Sequence, residues 1–292
     1  MKQPIELRRL RDFGQIVNDS FTFLKENFKP LFKALFIICG FFIIISTIST
    51  VFTYMNITAT LNVNLNSYDA QSKPWEYIVS ALVSAFILLL TQAFIHLVTL
   101  CYISVYLQKN NTTPTLAEVW GYFRFYFFRV LGSGILIFFM LVIATMLCFI
   151  PGIYMAPISY LIIPIIVIEN SSFSYAFNKS FRLIKNNWWL VFGVIFVMSL
   201  IVIVAGSIAG IPMTFITLGN RFLSLKNFTL PLIIIFSVLR NIILLAYVLP
   251  AIAVCLCYFN LAEEKDGTGL LDRIGKFGAA NDEQTNLPAE EF

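Results

Sequence analysis

Six apolar runs dominate this chain, at roughly 33–54, 78–106, 130–150, 153–168, 188–209 and 232–259. Each approaches or exceeds the length a helix needs to cross a bilayer, about 20 residues at 1.5 Å each. Stretches such as Phe36-Ile-Ile-Cys-Gly-Phe-Phe-Ile-Ile-Ile45 have no polar face to turn towards water. Only 12% of the 292 residues are charged, against roughly a quarter in a soluble domain. Soluble, secreted and disordered classes are therefore excluded. The expectation is an all-α polytopic bundle of six transmembrane helices. Residues 1–260 form its membrane domain, and 261–292 form a cytoplasmic tail. The fourth run is short and holds Pro157 and Pro164, which predicts a kink or tilt. Pro151-Gly152, between the third and fourth runs, reads as a tight hairpin turn.

An even number of spans puts both termini on one side of the membrane. Sixteen of the 20 Lys and Arg residues lie on that side, three lie opposite, and Arg240 falls within the last run. The positive-inside rule then makes the termini cytoplasmic. About 30 residues, including Glu6, Asp12, Asp19 and Glu26, precede the first run, which is unlike a secretory signal. Trp188, Trp189, Tyr102 and Tyr106 fit an aromatic belt on the cytoplasmic side, with Trp75 and Tyr77 opposite. The five cysteines lie in apolar runs without a metal-binding spacing and read as small core hydrophobes.

Residues 5–30 are amphipathic. Phe13, Ile16, Val17, Phe21, Leu24 and Phe28 share one helical face, and Arg8, Arg11, Asp12, Asp19, Lys25 and Glu26 supply the charged positions. The pattern returns at Phe173, Ala176, Phe177, Phe181, Ile184 and Trp188. Aligning 13–36 with 173–196 gives eight identities, among them Asn18/Asn178, Ser20/Ser180, Lys25/Lys185 and Asn27/Asn187. Val98-Thr-Leu-Cys-Tyr102 likewise returns as Val254-Cys-Leu-Cys-Tyr258. A weaker copy begins at Thr115-Leu-Ala-Glu118, which reads as a capping box. The expected unit is an interfacial helix followed by a two-span hairpin, repeated three times about an axis along the membrane normal.

The segment 150–196 carries Pro151, Gly152, Ile153 and Tyr154, then Pro164 and Glu169, then Ala176, Ser180, Leu183 and Lys185. With these features it resembles the membrane domain of the glycerophosphoryl diester phosphodiesterase family and related bacterial membrane proteins. Arg11-Asp-Phe-Gly14 and the stretch Phe21 to Phe28 add to that likeness. The resemblance implies a multi-pass protein of the bacterial cytoplasmic (inner) membrane. It implies no phosphodiesterase activity, because the soluble catalytic barrel has no counterpart in this chain. The motifs are structural in kind.

Candidate chemistry is sparse. His96, midway along the second run, reads as a general base, a proton relay, or a neutral core histidine. Ser133, between Gly132 and Gly134, pairs with it in a Ser–His hydrolase reading, or simply allows close helix packing. Arg240 and Asn241 are the polar pair most suited to meeting a lipid or another anion. If the last span covers 232–259, Arg240 lies roughly 12 Å along it. If 231–239 is re-entrant or interfacial, Arg240 snorkels to the outer head groups instead. In the tail, Leu270, Leu271, Ile274 and Phe277 form a short amphipathic pattern before an acidic end.

Together these features describe a non-enzymatic scaffold or accessory module in envelope or lipid handling. The alternative is a transporter or channel for a lipid or other amphipathic molecule, with an intramembrane hydrolase third. The expected partners are the bilayer, anionic phospholipid and another membrane protein. No nucleic acid, cofactor or metal is expected.

Overall fold

A computed structural model describes residues 5–61, 74–109, 111–223 and 226–267. Lys73, one of the three basic residues expected opposite the termini, and the tail pattern at 270–277 lie outside the described residues. The described chain is all-α, and no strand occurs among those residues. Its order is α1 (Phe13–Glu26), α2 (Phe28–Leu61), α3 (Pro74–Gln108), α4 (Leu116–Leu147), α5 (Phe149–Ile168), α6 (Phe173–Ile184), α7 (Trp188–Leu223) and α8 (Lys226–Ile243). A 3₁₀ turn at Leu244–Tyr247 and α9 (Val248–Asp266) complete it. Six helical stretches are long and apolar enough to cross a membrane. The chain is a multi-pass membrane protein.

Local chemistry sets several boundaries where periodicity alone does not. The amphipathic segment expected over 5–30 is helical only from Phe13. Asp12 Oδ1 accepts from Gln15 N–H at 2.7 Å, and Asp12 N–H donates back to Gln15 Oε1 at 3.2 Å. This reciprocal capping box starts the helix. Half of the box expected at 115–118 forms, with Thr115 N–H donating to Glu118 Oε2 at 2.8 Å. The interfacial helix expected there is not a separate element, because α4 runs unbroken into the third span.

The Pro151-Gly152 turn is also displaced. Cys148, extended at φ −167°, is the hinge, and both residues fall in the first turn of α5. Proline is tolerated there because the first turn's N–H groups have no intrahelical acceptor. A Cβ on Gly152 would overlap Thr145 Cγ2 of α4, so glycine is what allows so short a connection. α5 continues as one helix through Pro157 and Pro164. The last span is interrupted rather than straight. Pro250 has no N–H for Ala246 O, and its ring crowds that carbonyl. The preceding backbone tightens into the 3₁₀ turn, and Val248 N–H reaches back to Leu245 O.

The chain divides into two compact units. One comprises 1–23, 131–195 and 253–292, and the other 24–130 and 196–252. In the first, α5 packs on α6. Trp188 Nε1–H donates to Tyr154 O at 3.0 Å, and the two rings stack at 6.0 Å. In the second, α2 packs along both α3 and α8. Phe94 gathers Phe42, Phe123 and Phe127 at 4.1, 6.2 and 5.5 Å between ring centres. Tyr102 O–H donates to Asn27 Oδ1 at 2.9 Å, tying the start of α2 to α3. Thr53 and Thr91 hydroxyls reach backbone carbonyls across the α2–α3 contact, at 3.2 and 3.5 Å.

Candidate functional site

Within the second unit, α2, α3, α7, α8 and the 3₁₀ turn enclose an open cleft of about 410 Å³. Its walls include Tyr54, Gly206, Gly210, Ile211, Arg240 and Tyr247. Among the described residues, Arg240 is the only charged one lining it. The guanidinium touches Tyr54 Oη at 3.5 Å, a long contact for a hydrogen bond. No carboxylate pairs with Arg240 among the described residues. Its remaining N–H donors, set in a planar fork, have no hydrogen-bond partner among the described residues. Tyr54 and Lys33 stand on the same helix, 21 residues apart, a rise of roughly 32 Å.

The neighbouring Asn241 does not share this position. It is buried at 1% exposure, and its Nδ2 donates to Ser237 O at 2.9 Å. Asn241 Oδ1 and Ser237 Oγ are both buried without a hydrogen-bond partner among the described residues. Adjacent helical residues point about 100° apart, and here Arg240 faces the cleft while Asn241 is buried in the packed side of α8.

A second constellation lies in the first unit and is made of ion pairs. Lys179 Nζ on α6 meets Glu169 Oε1 at 2.7 Å and Asp266 Oδ2 at 3.2 Å. Arg182 adds a contact to Asp266 at 3.1 Å, and Tyr258 O–H donates to Glu169. Burial lowers the affinity of Lys179 for its proton, but the hydrogen bond and charge of Glu169, then those of Asp266, outweigh it. The lysine pKa is raised as a result.

Arg11 is a related hub. Its guanidinium is fully enclosed and bonds Asp19 Oδ2 at 2.8 Å and Leu7 O at 2.7 Å, together with Glu6 O. Its backbone N–H donates to Asn260 Oδ1 at 2.7 Å. Burial pulls the Arg11 pKa down, against the opposing pull of Asp19. Arg11 and Asp19 were expected on the charged face of an amphipathic helix. They instead turn inward, because each neutralises the other and the segment's carbonyls absorb the remaining donors.

The other sequence candidates fall on different elements. His96 is partly buried on α3, within the second unit. Ser133 is buried on α4, within the first. Among the family-like positions, Pro164, Ala176 and Ser180 are buried, Pro151 and Lys185 are exposed, and Glu169 caps α5 and holds Lys179. Sequence reasoning did not single out Gly206-Ser-Ile-Ala-Gly210. Its one-turn glycine spacing inside an apolar run is the signal that marks the cleft wall. No protein-family model matches the chain, and no curated protein or solved structure was found to be similar to it.

Proposed function

We propose that this is a non-enzymatic integral membrane protein of lipid handling, an accessory module whose cleft receives an anionic head group at Arg240. The observation that carries the reading is an arginine without a carboxylate partner among the described residues, facing an open cleft. Its depth supports the same reading. The basic asymmetry assigns Lys29 and Lys33 to the cytoplasmic surface. Tyr54 then lies a full hydrocarbon thickness away, and Arg240 with it, at the level of the opposite head groups. There an arginine avoids the cost of a charge at mid-membrane, at least about 2.5 kcal/mol on insertion scales. Phosphate is the anion most available at that level, and the guanidinium fork suits two of its oxygens.

The same reading places both termini in the cytoplasm of a bacterial inner membrane. It treats α1 and α6 as interfacial helices that begin two copies of a duplicated unit. Burial supports the duplication, because Ile16/Ala176, Ser20/Ser180 and Phe23/Leu183 are buried at matching positions.

The test is lipid retention. Anionic phospholipid per protein is measured after matched detergent washing for wild type, Arg240→Gln and Arg240→Lys. Arg240→Gln should lose most of it and Arg240→Lys should keep part. Equal lipid in all three would remove the proposal.

A further inference from the structure

We infer that the cleft takes a two-part amphiphile: a glycerophospholipid whose phosphate meets Arg240 and whose upper acyl chain lies along Gly206 and Gly210. This deepens the head-group reading of Arg240 and rests on it. It excludes free phosphate and other soluble anions as the ligand.

The two glycines are four residues apart on α7, so both present the same face. Such a pair in a membrane helix usually lets another helix approach closely. Here a Cβ on either residue would meet no atom within 4 Å. The missing side chains therefore widen a cleft instead of seating a neighbouring helix. The wall around them is apolar in effect. Ser207 Oγ–H donates to Val204 O and Thr214 Oγ1–H to Ile211 O, both at 2.7 Å, so these hydroxyl protons are used within the helix. Val202, Ile203 and Ile211 supply hydrocarbon alongside.

A soluble anion would gain the arginine and nothing from this wall. A phospholipid gains both, and burying chain methylenes adds about 0.8 kcal/mol for each one fully buried. Size sets the extent of the contact. About 410 Å³ is near the lower end of small-molecule pockets, which run to about 1,000 Å³. The cleft thus holds the phosphate end and the upper part of one chain, with the remainder in the bilayer.

The test uses the full chain purified in detergent and titrated with dioleoyl phosphatidylglycerol, with bound lipid read by native mass spectrometry. The variants are Gly206→Leu, Gly210→Leu and Arg240→Gln. Leucine is the better helix former, and both sites have open space, so the leucine variants should elute like wild type in size exclusion. Each leucine variant is expected to bind at least about three-fold less phosphatidylglycerol, and Arg240→Gln about ten-fold less. Glycerophosphoglycerol, the same head group without chains, should fail to compete at about 100-fold excess. Leucine variants that bind like wild type, or competition by the chain-free head group, would overturn the acyl-chain assignment while leaving the head-group reading. Undiminished binding by Arg240→Gln would overturn both.

Discussion

Asp19 on α1 and Lys179 on α6 occupy matching positions of two helices that align 160 residues apart, and they carry opposite charges. Their partners match as well. Arg9 pairs with Asp19 at 2.5 Å, and Glu169, 160 residues after Arg9, pairs with Lys179 at 2.7 Å. The two ion pairs therefore have the same placement with the signs exchanged. In each, the charge on the helix is drawn inward beside a buried serine, Ser20 or Ser180.

The Lys179 side chain is only 10% exposed and serves two carboxylates. Lys179→Met leaves Glu169 and Asp266 without their shared cation. It should lower stability by on the order of 1–3 kcal/mol, more than Asp266→Asn does, since Lys179 retains Glu169 in that variant. Because the lysine pKa is raised in the fold, its contribution is fully present below the ordinary lysine value of 10.5. It is lost as pH rises through the higher folded value. The difference in melting temperature between wild type and Lys179→Met should hold steady from about pH 6 to 9 and shrink above about pH 10.5. A difference that shrinks on acidification only would contradict the sign of the shift.

Arg11 ties the carbonyls of Glu6 and Leu7 to Asp19 of α1 through donors that no single-point cation can reproduce. Arg11→Lys should therefore behave almost as badly as Arg11→Gln. Hydrogen exchange across residues 6–12 should rise in both variants while α5 stays protected. Wild-type protection in Arg11→Lys would show that charge alone suffices.

Gly152→Ala should destabilise the α4–α5 hairpin, because its methyl group overlaps Thr145 Cγ2. Strain of this kind costs about 1–3 kcal/mol. Thr145→Ala removes the opposing methyl, so the double variant should recover much of the loss. Thermal unfolding in detergent measures the coupling, and strictly additive effects would contradict the close approach.

Much of this architecture was legible from length and composition. A run of about 20 apolar residues has few alternatives to a span, so all six were readable. The interruption at Leu244–Tyr247 was not, since Pro250 acts on a carbonyl four residues earlier while the run stays apolar. The start of α1 depended on a side-chain exchange between Asp12 and Gln15, and the placement of Arg11 on Asn260, 249 residues away. Identity scoring counts Asp19/Lys179 as a mismatch, and so hides the exchanged ion pairs. Arg240 stood out because charge is rare in such runs. The cleft beside it did not, because Gly206 and Gly210 look the same in sequence whether they seat a helix or leave a space.

Phe13, Phe21 and Phe28 are exposed on the α1–α2 junction, while Ile16 and Phe23 face inward. On the interfacial reading proposed above, this outer face anchors the helix against lipid head groups and chains. Phe21→Glu and Phe181→Glu should loosen α1 and α6 from the membrane surface. Cysteines introduced beside them should then react faster with a polar thiol reagent. Unchanged labelling in both would mean that these faces are already solvated.

The central claim is that lipid enters the cleft because of Arg240. A photoreactive benzophenone side chain at Ile211, which is exposed and lines the cleft, tests it directly. After irradiation in native membranes, mass spectrometry of the crosslinked peptide identifies what was there. The expected result is an anionic phospholipid adduct, enriched over its share of the membrane and strongly reduced by Arg240→Gln. Adducts that mirror bulk lipid composition, or that are the same with and without Arg240, would contradict the account.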